Sequence, residues 1–233
     1  MKKILFISLI SVVLGGIAFL ITCKNSPVSP IDEPILYGTI WARGNEATAK
    51  VLADLDYPDQ CPDNSFTVNG KRLEVGYNHF EYYAGFGGDG TELPETFTLE
   101  ADFCGKTIIA TTNLCDTFSI ITPINDSTFA SGQPLEVIWT SGGEGFKYAV
   151  MVEWLYPEFV VPVLLTGPQT DTCFTIPNQQ ASNRTLIIKV FCYTTGLMYG
   201  DRVIRQDTNN LSGDMQGFFG SVRFQTARVY PEH

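Results

Sequence analysis

The sequence predicts an all-β chain, two β-sandwich-like domains in tandem behind an N-terminal export segment. Three observations carry this. After Pro34 no stretch holds apolar residues at helical spacing for three turns, whereas short runs rich in β-branched and aromatic residues recur between turn signals. The 21 glycines and 13 prolines supply the punctuation that many short strands need. Hydrophobic residues make up 44% of the chain and charged ones only 17%, which is enough apolar content to fill cores and too little charge for a disordered polymer.

The first element stands apart from that body. Met1-Lys2-Lys3 leads into an uncharged run from Ile4 to Ile21, the layout of a secretory segment with a basic start and an apolar centre. The run is long for a cleaved segment and close to the lower limit for a helix crossing ~30 Å of hydrocarbon. It ends Leu20-Ile21-Thr22-Cys23. This tetrad resembles the lipobox of bacterial lipoproteins, where a Leu three residues before a Cys leads to a small residue; Thr22 departs from the usual Gly, Ala or Ser. The resemblance implies removal of residues 1–22 as a signal peptide and diacylation of Cys23 as the first residue of the mature chain. Two acyl chains on one residue suffice for stable membrane anchoring. An uncleaved helical anchor and a soluble secreted form are the alternatives. Under the first two, everything after Cys23 faces out, toward the periplasm or the cell exterior.

Residues 23–34 carry prolines at 27, 30 and 34. Such a segment favours polyproline II at ~3.1 Å per residue, a stiff tether about 30 Å long. A first domain is then expected over 35–116, with strands at 35–41, 49–55, 66–75, 80–83, 96–101 and 107–112. Its clearest element is Phe66-Thr-Val-Asn69-Gly70-Lys-Arg-Leu73, because Asn-Gly between alternating flanks favours a type I′ hairpin turn.

A second domain is expected over 117–233, with strands at 118–121, 135–140, 148–154, 160–165, 173–176, 185–193 and 220–229. Leu135, Val137 and Trp139 alternate inward there, with Glu136 and Thr140 outward. The stretch from Ile120 through Pro123, Gly132 and Leu135 to Trp139 resembles the opening of immunoglobulin-like or fibronectin type III-like modules. In those modules a Pro-containing first strand and a Gly turn lead to a second strand ending in a core Trp. What the resemblance implies is a sandwich fold; it does not bear on activity.

The formal net charge is −10, and loss of Lys2 and Lys3 with the signal makes the mature chain more acidic. That balance excludes nucleic acid as the expected partner and disfavours adhesion to anionic lipid. The expected partners are the membrane, through lipid or anchor, and an envelope protein or a glycan. Beyond Cys23 lie Cys61, Cys104, Cys115, Cys173 and Cys192, with no C-x-x-C spacing, so disulfides are expected rather than zinc. The odd number leaves one thiol over. Cys61 with Cys104 is the expected pair, since a straight strand separates Cys104 from Cys115. Cys173 with Cys192 is a second candidate, although period-2 alternation sends Cys173 outward and Cys192 inward.

Catalytic signals are sparse. The two histidines are His79 and His233, and no nucleophile-elbow, zincin or phosphate-loop pattern occurs. Asp54, Asp56, Asp59 and Asp63 crowd one segment that offers oxygen ligands for Ca²⁺ but lacks the EF-hand glycine and glutamate; a solvated acidic loop is the other reading. Residues 207–214 form a second oxygen-rich segment. No other cofactor is expected. Tyr82, Tyr83 and Phe86, with Trp154 farther on, are candidates for a sugar-stacking platform, the alternative being ordinary strand aromatics. The expectation is a non-enzymatic, membrane-anchored envelope lipoprotein that binds or acts as a spacer. The alternatives are a carbohydrate-binding module and a carboxylate-dependent hydrolase.

Overall fold

Every regular element among the described residues is a strand, some alternating apolar with polar residues and others, such as β12, buried on both faces. The computed structural model describes residues 35–54, 64–76, 81–181, 183–199 and 202–232, all within one unit spanning 34–233. In chain order the strands are β1 (Ile35–Arg43), β2 (Glu46–Asp54), β3 (Ser65–Val68), β4 (Lys71–Arg72), β5 (Glu74–Val75), β6 (Glu81–Gly87), β7 (Thr96–Phe103), β8 (Lys106–Asn113) and β9 (Ile120–Thr122). They continue as β10 (Ser127–Phe129), β11 (Leu135–Trp139), β12 (Lys147–Leu155), β13 (Val160–Leu165), β14 (Cys173–Ile176), β15 (Leu186–Tyr193), β16 (Gly196–Tyr199), β17 (Arg202–Gln206) and β18 (Gln216–Pro231). No helix among these residues is long and apolar enough to cross a membrane. The signal, the tether and Cys23 lie outside the described residues.

The last strand organises the rest. The first half of β18 pairs in parallel with β1, from Ile35 opposite Gln216 to Ala42 opposite Arg223. Its second half pairs antiparallel with β15, from Tyr193 opposite Val222 to Leu186 opposite Val229. One sheet therefore runs β13-β12-β15-β18-β1-β2-β6-β5, with β10 added to the far end of β18. One face of this sheet carries two cores. The sheet β4-β3-β7-β8 closes the first over β1, β2 and β6, around Leu36, Val51, Phe66, Phe97, Phe103 and Phe219. The sheet β14-β11-β9 closes the second over β12, β15 and β18, around Val137, Trp139, Tyr148, Val150 and Ile188.

The chain is thus all-β and sandwich-built, as its sequence predicts. The 16-residue β18 serves both cores, and Cys115, ahead of the expected boundary at 116/117, already belongs to the second. The first core also takes Leu211 and Met215 from the segment just before β18. The opposite face of the long sheet is covered by the β16–β17 hairpin, which seals a third cluster around Trp41, Phe191, Tyr193, Leu197 and Val222.

Local chemistry explains the turns and faces. Asn69 (φ 49°) and Gly70 (φ 73°) both take the left-handed conformation that a type I′ turn requires between β3 and β4. Cys104 (φ 52°) and Gly105 (φ 73°) repeat this between β7 and β8. On β11, Val137 and Trp139 are buried and Glu136 is exposed, as alternation predicts. Burying an indole of that size contributes about 4–6 kcal/mol at ~25 cal/mol per Å². The outer edge strand β13 carries Pro162, which supplies no N–H to a further strand.

Between the two cores runs a polar seam. The buried guanidinium of Arg223 donates from Nε to the Cys115 carbonyl (3.0 Å) and from Nη1 to the Gly44 carbonyl (2.8 Å). Ser221 donates to the Asn113 carbonyl (2.5 Å), and the hydroxyls of Thr112 and Thr194 lie 2.9 Å apart. These contacts tie the β1–β2 turn and the β8–β9 crossover to β18.

The cysteines correct one expectation. Cys104 is disulfide-bonded, and its partner lies outside the described residues, as does Cys61. Cys173 and Cys192 do not pair: both are free thiols, Cys173 exposed on β14 and Cys192 buried on β15. Alternation had sent them to different faces, and no bulge brings them together.

Candidate binding groove

Strand β6 splits the aromatics of its own sequence between two faces. Tyr82, Ala84 and Phe86 turn toward the first core, where Tyr82 packs on Phe66 (4.3 Å between ring centroids) and Phe86 meets Phe97 edge-on (5.4 Å). Tyr83 faces the other way. Its register partner on β2 is Lys50, whose ammonium lies 5.3 Å from the ring centroid. Lys50 and Glu81 sit 3.8 Å apart, both nearly buried, and the Tyr83 hydroxyl donates to Glu81. Burial first, then the Glu81 carboxylate that accepts its proton, raise the Tyr83 hydroxyl above its ordinary pKa.

The hairpin that begins at Asn69-Gly70 brings β4 and β5 alongside this strand. A groove of about 350 Å³ results, lined by Thr48, Lys71, Arg72, Glu74, Val75 and Tyr83 together with the backbone of 84–85. Lys71 donates to the Gly85 carbonyl (2.6 Å) and lies 5.4 Å from the Phe86 ring centroid. The lining offers two cations, two hydroxyls, one ring and the rim carboxylate of Glu74. That set can bind a small polar or anionic group. Among the described residues the groove's lining holds no thiol, imidazole or paired carboxylate.

The residues singled out in the sequence therefore do not converge. Tyr82 and Phe86 are packed inward, and only Tyr83 lines the groove. Trp154 lies on β12, five strand spacings from β6, or about 24 Å across the sheet. It packs against the second core, donates Nε1 to the Gln180 carbonyl (3.1 Å), and lies under Arg184. Asp56, Asp59 and Asp63 are outside the described residues, as is the side chain of Asp54. Among the described residues no cluster of His, Cys, Asp and Glu could hold a metal ion.

The second oxygen-rich segment has structural work instead. Asp207 accepts from Lys147 (3.0 Å) and Arg205 (2.7 Å), and Asn210 bonds both the N–H and the carbonyl of Phe219. Burial alone would raise the Asp207 carboxyl; the two cations outweigh it and hold the group below its ordinary value. Glu153 pairs with Lys189 (2.7 Å) beneath Tyr199. Thus the buried carboxylates Glu81, Glu153 and Asp207 each face a cation.

Sequence reading missed Lys50, Lys71, Arg72 and Glu74. The Asn-Gly turn was the available signal, since it fixes which residues of 71–75 return beside β6.

No protein-family model matches the chain, and no curated protein matches it. Among solved structures the chain is similar to fibronectin(III)-like modules of Clostridium thermocellum CbhA, at 13% identity and a TM-score of 0.30, over 87% of this chain and 93% of that one.

Proposed function

We propose that this protein is an exported envelope lipoprotein, anchored through Cys23, whose β body is a non-catalytic binding or spacer module. The observation that carries the reading is where the tether joins the body. The Pro-rich segment ends at Pro34, and Ile35 is already the first residue of β1. That strand is interior, clamped between β2 and β18. Tension between the anchor and the far end of β18 loads parallel β1 and β18 from opposite ends. It acts on their ladder in shear, with all bonds sharing the force, rather than peeling them one by one.

Metabolic labelling with an alkyne palmitate analogue tests the anchor. The wild type takes up label and fractionates with membrane, while Cys23→Ala loses both. Label-free wild type in the soluble fraction would overturn the lipoprotein reading, and unlabelled wild type in the membrane would point to the helical anchor.

A carbohydrate-binding role is the second reading, favoured by the single ring of Tyr83 beside cationic and hydroxyl donors in the groove. Glycan-array binding that disappears in Tyr83→Ala supports it; no ligand, or binding unaffected by that change, removes it.

A further inference from the structure

Cys115 and Cys192 are both buried free thiols, 77 residues apart in sequence, and they meet at the seam between the two cores. The Cys115 Sγ lies 3.6 Å from the Cys192 carbonyl oxygen. Gly142 leaves the space they share. A Cβ on that glycine would stand 2.8 Å from the Cys192 Sγ and 3.5 Å from the Cys115 Cβ. Around them lie the Tyr148 hydroxyl, which accepts from the Gly142 N–H (2.6 Å), and Arg223, bonded to the Cys115 carbonyl.

We infer that Cys115 and Cys192 form a disulfide in the mature exported protein, joining the β8–β9 crossover to the end of β15. The oxidising setting rests on the export reading above. The oxidant is a disulfide, either that of an envelope oxidoreductase or of oxidised glutathione. The Cys115 thiolate attacks one oxidant sulfur and expels the other as a thiol. The Cys192 thiolate then attacks Cys115 in the mixed disulfide and expels the second oxidant thiol. One S–S bond forms and one breaks; two electrons and both protons end on the oxidant.

The timing follows from burial. In the folded dithiol, the adjacent Cys115 side chain and then desolvation push the Cys192 thiol far up, so the attacking thiolate is scarce. The bond therefore closes while the chain is folding, before the second core seals. It also resolves the odd cysteine number: Cys104 is bonded elsewhere, Cys115 pairs with Cys192, and the exposed Cys173 is the thiol left over.

The test uses the full chain with its own N-terminal segment, expressed in an exporting bacterial host. The protein is alkylated under denaturing, non-reducing conditions and mapped by mass spectrometry. The expected map links the peptides containing Cys115 and Cys192 and finds Cys173 alkylated. A second arm refolds the reduced, denatured chain in a glutathione redox buffer, where the link forms whether or not the cell exported the protein. Linkage in vitro with free thiols from cells supports the pair and counts against export. Free Cys115 and Cys192 in both arms, or either one bonded to another cysteine, overturns the inference. The oxidised wild type is also expected to melt roughly 10 °C above Cys115→Ala/Cys192→Ala, as a loop this long implies. Equal melting temperatures would overturn the structural role, with Cys173→Ala as the control that leaves the melt unchanged.

Discussion

Arg223 is the residue on which the union of the two cores can be measured. Arg223→Met keeps most of the aliphatic volume and removes the guanidinium that holds the Gly44 and Cys115 carbonyls. The Cys115 carbonyl, left buried without a donor, costs about 1–3 kcal/mol, while the Gly44 carbonyl lies in an exposed turn and can turn to water. Relief of the arginine's own desolvation offsets part of this. The net loss is about 1–3 kcal/mol, which lowers the melting temperature by roughly 2–12 °C for a body of this size. Urea unfolding followed by both tryptophan fluorescence and far-UV circular dichroism is the assay. Trp139 and Trp154 report the second core and Trp41 the third cluster, while dichroism reports the whole sheet. In the wild type the two curves coincide, because β18 belongs to both halves. A loss below about 1 kcal/mol in the variant would refute the role given to Arg223. Separated wild-type curves would refute the coupling itself.

Three further outcomes follow from the same structure. Gly217→Ala places a Cβ 1.8 Å from the Leu36 carbonyl at φ 124°, so β1 and β18 cannot pair as they do; the variant is expected in the insoluble fraction, and normal yield with an unchanged melt would contradict the pairing. Asp207, held low by Arg205 and Lys147, contributes stability that is complete above the unfolded value near ~4 and disappears as pH falls through its lower folded value. Acid titration of stability should therefore flatten in Asp207→Asn, and an unchanged acid limb would refute the assignment. At the other extreme, burial and the Asp207 charge push Tyr193 up to about 12; its contribution is complete below ~10 and is lost as pH rises through about 12, so Tyr193→Phe should resist alkaline unfolding better than the wild type.

Much of the fold was legible because its signals are local. The runs at 160–165 and 173–176 coincide with β13 and β14, and Asn69-Gly70 marks its turn because two positive φ angles leave few other residues. What escaped is non-local. Nothing near Ile35 announces a parallel partner at Gln216, and the strand expected at 220–229 starts short of β18, which begins at Gln216 and passes through Gly217. The β16–β17 hairpin was hidden for a similar reason. Leu197, Tyr199 and Ile204 pack on a third cluster that exists only once the long sheet has formed. The groove was half legible: alternation along β6 shows that Tyr82 and Tyr83 cannot share a face, which alone breaks up the expected three-ring platform. Lys50 joins Tyr83 only through the β2–β6 register, a pairing written in no single segment.

Single-molecule pulling tests the spacer reading most directly. With handles at Ile35 and Pro231, force shears β1 against β18; with handles at Ile35 and Ser212, it peels the same two strands from one end. Forced rupture reports the unfolding barrier along each direction. A higher rupture force, in a single event, is expected for the 35–231 geometry. Equal forces, or a weaker 35–231 rupture, would contradict a body built to carry tension from its anchor.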